Sequence, residues 1–329
     1  MPVQVPPIAP STGPSGPTGP TGPGDEPPEL TGPLRSPRQI TWARRRRALA
    51  RFWRQYRHNK MGIAGIAILV FFVGVALFAA LFQDARSVDP SYVSGPVRHA
   101  PSLQFPLGTD NLGISVLSLV VAGSKISLLV GLTASVITMT IGAVVGVVAG
   151  YRGGAVDTVL MRVTDFGLVL PWLALAIVLA SIMGPSLTTV ILVIGLTSWP
   201  GTARLVRSQV LSIRERPYVE RSRALGASDG HMILHHVLPN VMPVILANAV
   251  LTVAIAILSE TSLSFLGLGD PLTTSWGSII ENAFAGGATT LGAWWWIMSP
   301  GVCIVLVVLA FTFIGFALDE IINPRLRER

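Results

Sequence analysis

Residues 220 to 239 read Glu220-Arg221-Ser222-Arg223-Ala224-Leu225-Gly226-Ala227-Ser228-Asp229-Gly230-His231-Met232-Ile233-Leu234-His235-His236-Val237-Leu238-Pro239. This polar, basic interval lies between two apolar stretches and carries its own helix punctuation. Pro217 suits the first turn of a short helix, and Gly226 suits the left-handed residue that ends one. Ser228 or Asp229 caps a second helix. Pro239 has no N–H and disfavours helical geometry just before it, so it is expected to end that second helix, with Pro243 starting the next apolar segment. The pattern predicts two short helices meeting at a glycine elbow, a compact knob. Taken alone, the same Gly and Pro punctuation also fits an ordinary loop between helices, so its surroundings have to decide.

Those surroundings are apolar. Half of the 329 residues are hydrophobic and only 12% are charged, a balance outside the range of soluble domains. Six stretches are candidates to cross a bilayer: Gly62 to Phe82, Ser127 to Gly150, Phe166 to Met183, Leu187 to Ala203, Met242 to Leu258 and Trp294 to Leu318. Each is near the roughly 17 to 25 residues that a spanning helix needs. With six spans, the connecting segments fall into two sets. One holds the arginines of the N-terminal segment, Arg152, Arg162, the group from Arg204 to Arg223, and Arg325, Arg327 and Arg329. The other holds Arg86 and Arg98, with Lys125 near a boundary, and residues 263 to 300 contain no Lys or Arg. The positive-inside rule therefore puts the first set, the knob and both termini in the cytoplasm. The net charge of +7 is explained by membrane orientation. No aromatic-interleaved basic groove is present, so no nucleic-acid partner is expected.

The remaining segments are read in the same way. Residues 1–41 are rich in Pro, Gly, Ser and Thr, too poor in apolar residues to offset the entropy of ordering, and are expected to be disordered. Residues 42–60 form a basic juxtamembrane segment suited to anionic membrane lipid. Residues 61–122 hold the first span and an external loop, 123–319 the transmembrane core, and 320–329 a cytoplasmic tail. Gly142, Gly146 and Gly150 recur every four residues, placing them on one face where another helix backbone approaches. Val116 to Ile126 is expected to lie flat at the outer interface before the second span. Arg162 and Asp165 stand at i, i+3 and are expected to pair. Trp276 and Trp294 to Trp296 suit the outer interface. Glu260, inside an apolar run, is costly unless paired, protonated or facing water. It either lines a translocation path or braces a helix interface.

Several chemistries are missing. No phosphate-binding Gly-x-x-x-x-Gly-Lys-Ser/Thr loop occurs, so no ATP site is expected in this chain. His231 and His235 are at i, i+4, but no His-Glu-x-x-His pattern and no third ligand are evident, and no metal is expected. The lone Cys303 reads as packing. No nucleophile elbow or paired-carboxylate site is present, so no catalytic residue is assigned.

The knob resembles the EAA loop of ABC importer permeases, with Glu220, Gly226, Leu238 and Pro239 in register. Arg221 and Ser222 stand where the pattern has two alanines, and His236 where it has an apolar residue. The wording Arg223-Ala224-Leu225-Gly226-Ala227-Ser228-Asp229, followed by His236-x-Leu238-Pro239-Asn240, is similar to the oligopeptide and dipeptide branch. So are Phe105 to Gly113, Gly150 to Gly154 with Asp157 and Asp165, and Leu263 to Gly269. Ile114 and Ser115 replace the Arg-Asp pair common in that branch. The resemblance spans residues 61 to 329. It implies an all-α polytopic membrane protein of the type I ABC importer permease fold, in the bacterial cytoplasmic membrane, and a C-type subunit that moves peptides by alternating access. The implied partners are a homologous second permease, two cytoplasmic ATPases that bind ATP and magnesium, and an extracytoplasmic substrate-binding protein. Glu220 would then fix the knob by polar contacts, Gly226 allow its elbow, and Pro239 end it. A secondary transporter or channel driven by an ion gradient is the alternative. It calls for matched broken helices and midplane ion ligands, for which the sequence offers one carboxylate and no evident repeat between halves.

Overall fold

A computed structural model describes residues 53–92 and 95–322, with single positions at 42, 46 and 50. The tail over 1–41, most of the basic segment up to residue 52, and residues 323–329 lie outside the described residues. The chain divides into residues 1–49 and 50–329, and the second unit is described below.

The regular elements among its described residues are all helical. Helix α1 spans Lys60–Phe82, and the Asn59 side chain caps it by accepting from the Gly62 N–H at 2.9 Å. A loop then leads to α2, Val116–Arg152. Asp110 organises that loop, its carboxylate accepting from the N–H groups of Leu112 and Ile114 at 2.9 and 2.7 Å. Burial nevertheless pushes the Asp110 carboxyl above the usual range. Helices α3, Gly154–Val169, and α4, Trp172–Met183, follow and meet at 89°. Next come α5, Leu187–Thr197, and α6, Trp199–Arg214. The knob consists of α7, Pro217–Ala224, and α8, Asp229–Met232. A π turn, Ile233–Val237, leads into α9, Leu238–Phe265. Helices α10, Trp276–Ala285, and α11, Trp294–Ile322, complete the order. Among the described residues, five helical runs are long and apolar enough to cross a membrane, or six if the bent α3–α4 pair counts as one.

Helix α2 is the central post. Its 37 residues amount to about 55 Å at 1.5 Å per residue, well beyond a hydrocarbon core of about 30 Å. Helices α1, α5, α6 and α9 pack around it. The glycines at every fourth position lie against α6. A Cβ at Gly142 would meet Thr202 Cβ at 2.6 Å, one at Gly146 the Ala203 carbonyl at 2.6 Å, and one at Gly150 Val210 Cβ at 2.9 Å. The two backbones are closer than any side chain there permits.

Four expectations need correction. Val116 to Ile126 does not lie flat; it is the first three turns of α2. Val116, Leu119 and Val120 are buried in a core shared with Phe72, Trp276 and Val307, and protein packing on that face supports these turns as part of one continuous helix. The Phe166 to Met183 stretch is not one straight span but is bent at Leu170-Pro171. Trp276, expected at the interface, is fully buried, its Nε1 donating to the Val120 carbonyl at 2.9 Å and its ring edge-to-face with Phe72. Trp295 and Trp296 are buried too, and only Trp294 of that cluster is exposed. Asp165 pairs with Arg204 of α6 rather than with Arg162, because tertiary packing of α3 on α6 brings in a cation that linear spacing does not see.

Candidate functional site

The knob begins where Pro217, at the first turn of α7, supplies a fixed φ at no cost in hydrogen bonds. Helix α7 ends in a Schellman pattern: Gly226 N–H donates to the Arg223 carbonyl at 3.0 Å and Ala227 N–H to the Ser222 carbonyl at 3.2 Å. Gly226 has φ +83°. A Cβ there would touch nothing within 4 Å, so backbone conformation, not crowding, calls for glycine. Ser228 is the cap of α8, accepting from the His231 N–H at 3.4 Å.

The second knob helix does not stop at Pro239. The π turn donates from Leu238 N–H to the Ile233 carbonyl, and Pro239 then falls in the first turn of α9. Widening by one residue moves the hydrogen-bond register, so the missing proline N–H sits where a new helical segment opens. Pro243 lies inside α9 rather than at its start. Residues 229 to 265 are therefore one continuous helical run.

One face of the knob is fastened to the bundle. Val219, Met232 and Val237 are fully buried in a cluster with Met139, Val147 and Tyr151 of α2 and Val206, Val210 and Ile213 of α6. Tyr151 is the polar centre of this junction. Its hydroxyl donates to Asp229 Oδ1 at 3.0 Å, and the Arg223 guanidinium lies 5.6 Å from its ring centroid. Arg214 Nη1 donates to the carbonyls of Gly150 and Tyr151, both at 3.2 Å, closing the end of α2. Arg223 and Asp229 are thus brought together on one aromatic ring, one from each knob helix. The opposite face of the knob is open: Glu220, Ala224 and Leu225 are exposed, Leu225 at 82%. His231 stacks on His235 at 4.3 Å between ring centroids. No group of three or more His, Cys, Asp or Glu suited to a metal ion occurs among the described residues.

Helices α3 and α6 are joined by two ion pairs. Arg207 grips Asp157 by donating from Nε to Oδ1 at 2.5 Å and from Nη2 to Oδ2 at 2.6 Å, and Arg204 meets Asp165 at 2.5 Å. The first pair is the more buried, with side chains 31% and 18% exposed against 55% and 44% for the second.

Glu260 lies far along α9 from the knob and is 2% exposed. Ser264 Oγ donates to its Oε1 at 2.8 Å and Ser127 Oγ of α2 to its Oε2 at 3.3 Å. Ser127 Oγ in turn accepts from the Trp276 N–H at 3.1 Å. The carboxylate therefore stands where α2, α9 and α10 meet. Sequence reasoning singled out Glu260 but not Tyr151, Arg214, Ser127 or the buried role of Trp276. A tyrosine at the end of a span, apolar in body and polar at its tip, was the available signal for Tyr151.

Residues 142–328 match the family model described as binding-protein-dependent transport system inner membrane component. Residues 48–101 match the N-terminal TM domain of oligopeptide transport permease C. The chain is 38% identical over 278 residues to the dipeptide transport system permease protein DppC of Bacillus subtilis (strain 168), covering 84% of this chain and 85% of that one. It is 35% identical over 289 residues to the di/tripeptide transport system permease protein DppC of Pseudomonas aeruginosa (strain UCBPP-PA14), covering 85% and 93%. Among solved structures, an inward-facing form of the MetNI methionine ABC transporter matches with a TM-score of 0.50 and 20% identity, over 63% of this chain and 95% of that one. At that identity the likeness concerns the fold.

Proposed function

Because this chain belongs to the family of binding-protein-dependent transport system inner membrane components, we propose that it is the C-type permease subunit of an ATP-driven peptide importer. It works in the bacterial cytoplasmic membrane beside a homologous second permease. Two cytoplasmic ATPases hold ATP and magnesium, and an extracytoplasmic protein delivers the peptide. The chain itself performs no bond chemistry. Its task is to present two arrangements of one pathway and to let partner contacts choose between them.

The observation that carries this reading is the junction at Tyr151. The open face of the knob, with Glu220, Leu225 and Gly226, is the docking surface for an ATPase. Its other face is clamped to α2 through Arg223, Asp229 and Tyr151. The knob is also continuous through the π turn with α9. A displacement of the knob is thus delivered to two long helices at once, and these meet again at Glu260, Ser127 and Trp276. Glu260 here braces the far end of the lever. The basic residues around the knob support its cytoplasmic placement.

The test is reconstitution of the purified complex in proteoliposomes with its binding protein and a labelled dipeptide. Uptake is expected only with hydrolysable ATP on the knob side. Uptake by this chain and its permease partner without the ATPases, or driven by an ion gradient alone, would overturn the reading.

A further inference from the structure

A cavity of about 460 Å³ opens between the α3–α4 bend, the α5–α6 junction and the middle of α9, within the size range of small-ligand sites. Its wall includes Gly167, Thr197, Ser198, Gly201, Ser259 and Ser262. The two helix interruptions, at Leu170-Pro171 and at Ser198, face each other across it, tied by Trp172 Nε1 donating to Thr197 Oγ1 at 3.0 Å. Interrupted helices at membrane depth are tolerated where they are buried in protein or line a water-filled cavity.

The chemistry of the wall is one-sided. The hydroxyl protons of Thr197, Ser259 and Ser262 are all given to carbonyls of their own helices, of Val193, Ile255 and Leu258, at 2.7 to 2.8 Å. What these hydroxyls have left to offer are oxygen lone pairs. The carbonyl of Gly167 adds to them, since its helical partner would be the N–H of residue 171, which is proline. Among the lining hydroxyls only Ser198 keeps its proton for a ligand. No lining residue is charged.

Gly201 leaves the mouth of this space open. Gly142, Gly146 and Gly150 of α2 are crowded by α6, whereas a Cβ on Gly201 would meet nothing within 4 Å. Gly201 is helical without positive φ, so neither packing within the chain nor backbone geometry requires it.

We propose that this cavity is one wall of the peptide path, and that its acceptor oxygens receive the backbone N–H groups of the extended substrate. Acceptors set among the apolar side chains of Leu168, Leu170, Pro200, Ile255 and Leu258 grip the N–H groups that all peptides share, and with no charge in the lining they select no particular side chain. The substrate carbonyls would face the opposite wall, supplied by the second permease. This inference rests on the peptide-importer reading and deepens it.

The experiment compares wild type, Gly201→Ala and Gly201→Phe in the whole reconstituted complex, with labelled dialanine and trialanine as probes. Gly201→Ala should transport close to wild type, and Gly201→Phe, whose ring fills the cavity, at least tenfold less. Assembly with the second permease and ATP hydrolysis without substrate should be unchanged. A parallel Ser262→Cys variant, with Cys303→Ser as background, should react with a charged, membrane-impermeant thiol reagent and be protected by dialanine during turnover. Equal uptake by Gly201→Phe while the wild type transports would overturn the path. Loss of the second permease from that variant would make the cavity a subunit contact, and absence of labelling would make it lipid-filled; either overturns the proposal. A wild-type complex that moves no peptide would instead sink the function proposed above.

Discussion

At the scale of the residue, three side-chain environments make separable predictions. Gly226 sits at φ +83° with open space around it, so Gly226→Val costs about 1–2 kcal/mol from backbone conformation alone. It should lower substrate-stimulated ATP hydrolysis severalfold with membrane insertion unchanged, and Gly226→Asn, which tolerates that conformation, should be milder. Coupling measured on both purified variants checks this. Glu260 is bonded to Ser127 and Ser264 in a buried setting. Glu260→Gln keeps an acceptor and should be near wild type in stability and transport, whereas Glu260→Ala strands buried hydroxyls and should cost about 1–3 kcal/mol. Full stability with abolished transport in Glu260→Gln would show instead that the charge itself serves the path. Asp110 has its carboxyl raised by burial, so its folded form binds a proton more readily than its unfolded form. Its contribution to stability is therefore greatest below the unfolded carboxylate range and is lost as pH rises through the folded value. Asp110→Asn retains the oxygen that Leu112 and Ile114 need, and should remove this pH dependence without loosening the loop. Thermal unfolding of the detergent-solubilised protein across pH reads it out.

Elements are held by contacts of unequal weight, and that inequality is measurable. The Arg207–Asp157 pair is bidentate and mostly shielded, while Arg204–Asp165 is half exposed. Exposed pairs contribute about 0–1 kcal/mol, and a charge stranded in a shielded site costs more. Arg207→Ala should lower the melting temperature clearly more than Arg204→Ala. The knob gives a functional counterpart. Tyr151→Phe keeps the ring beside Arg223 but removes the hydroxyl bond to Asp229. Peptide moved per ATP hydrolysed should fall severalfold while basal hydrolysis persists. A parallel fall in both would indicate that the junction only supports the fold. Much of this was readable in advance: Pro217 opens α7, Gly226 closes it and Ser228 caps α8, each by local chemistry. The continuation through Pro239 was not readable, because a π turn is decided by how Val237 and Met232 pack on α2 and α6, not by the proline's own preference. The fate of Asp165 was hidden for a related reason, since its cation comes from 39 residues away.

For the whole molecule, the distribution of basic residues predicts sidedness. In a Cys303→Ser background, Leu272→Cys, 92% exposed, should react in intact cells with an impermeant thiol reagent. Leu225→Cys, 82% exposed, should react only after the membrane is opened. Reversal of the two patterns would put the knob outside and remove the docking surface proposed for the ATPases.

The sequence by itself determined that this chain crosses a membrane several times and that a punctuated basic knob interrupts the apolar stretches. Those properties follow from local hydrophobicity, charge placement and the backbone habits of Gly and Pro. Tertiary structure alone decided that α2 runs unbroken from Val116, that Trp276 is buried, that Tyr151 receives both halves of the knob, and that two helix breaks border one open cavity. Each of these depends on residues from distant parts of the chain meeting in space. One-dimensional patterns record what a residue prefers, and only packing records what it touches.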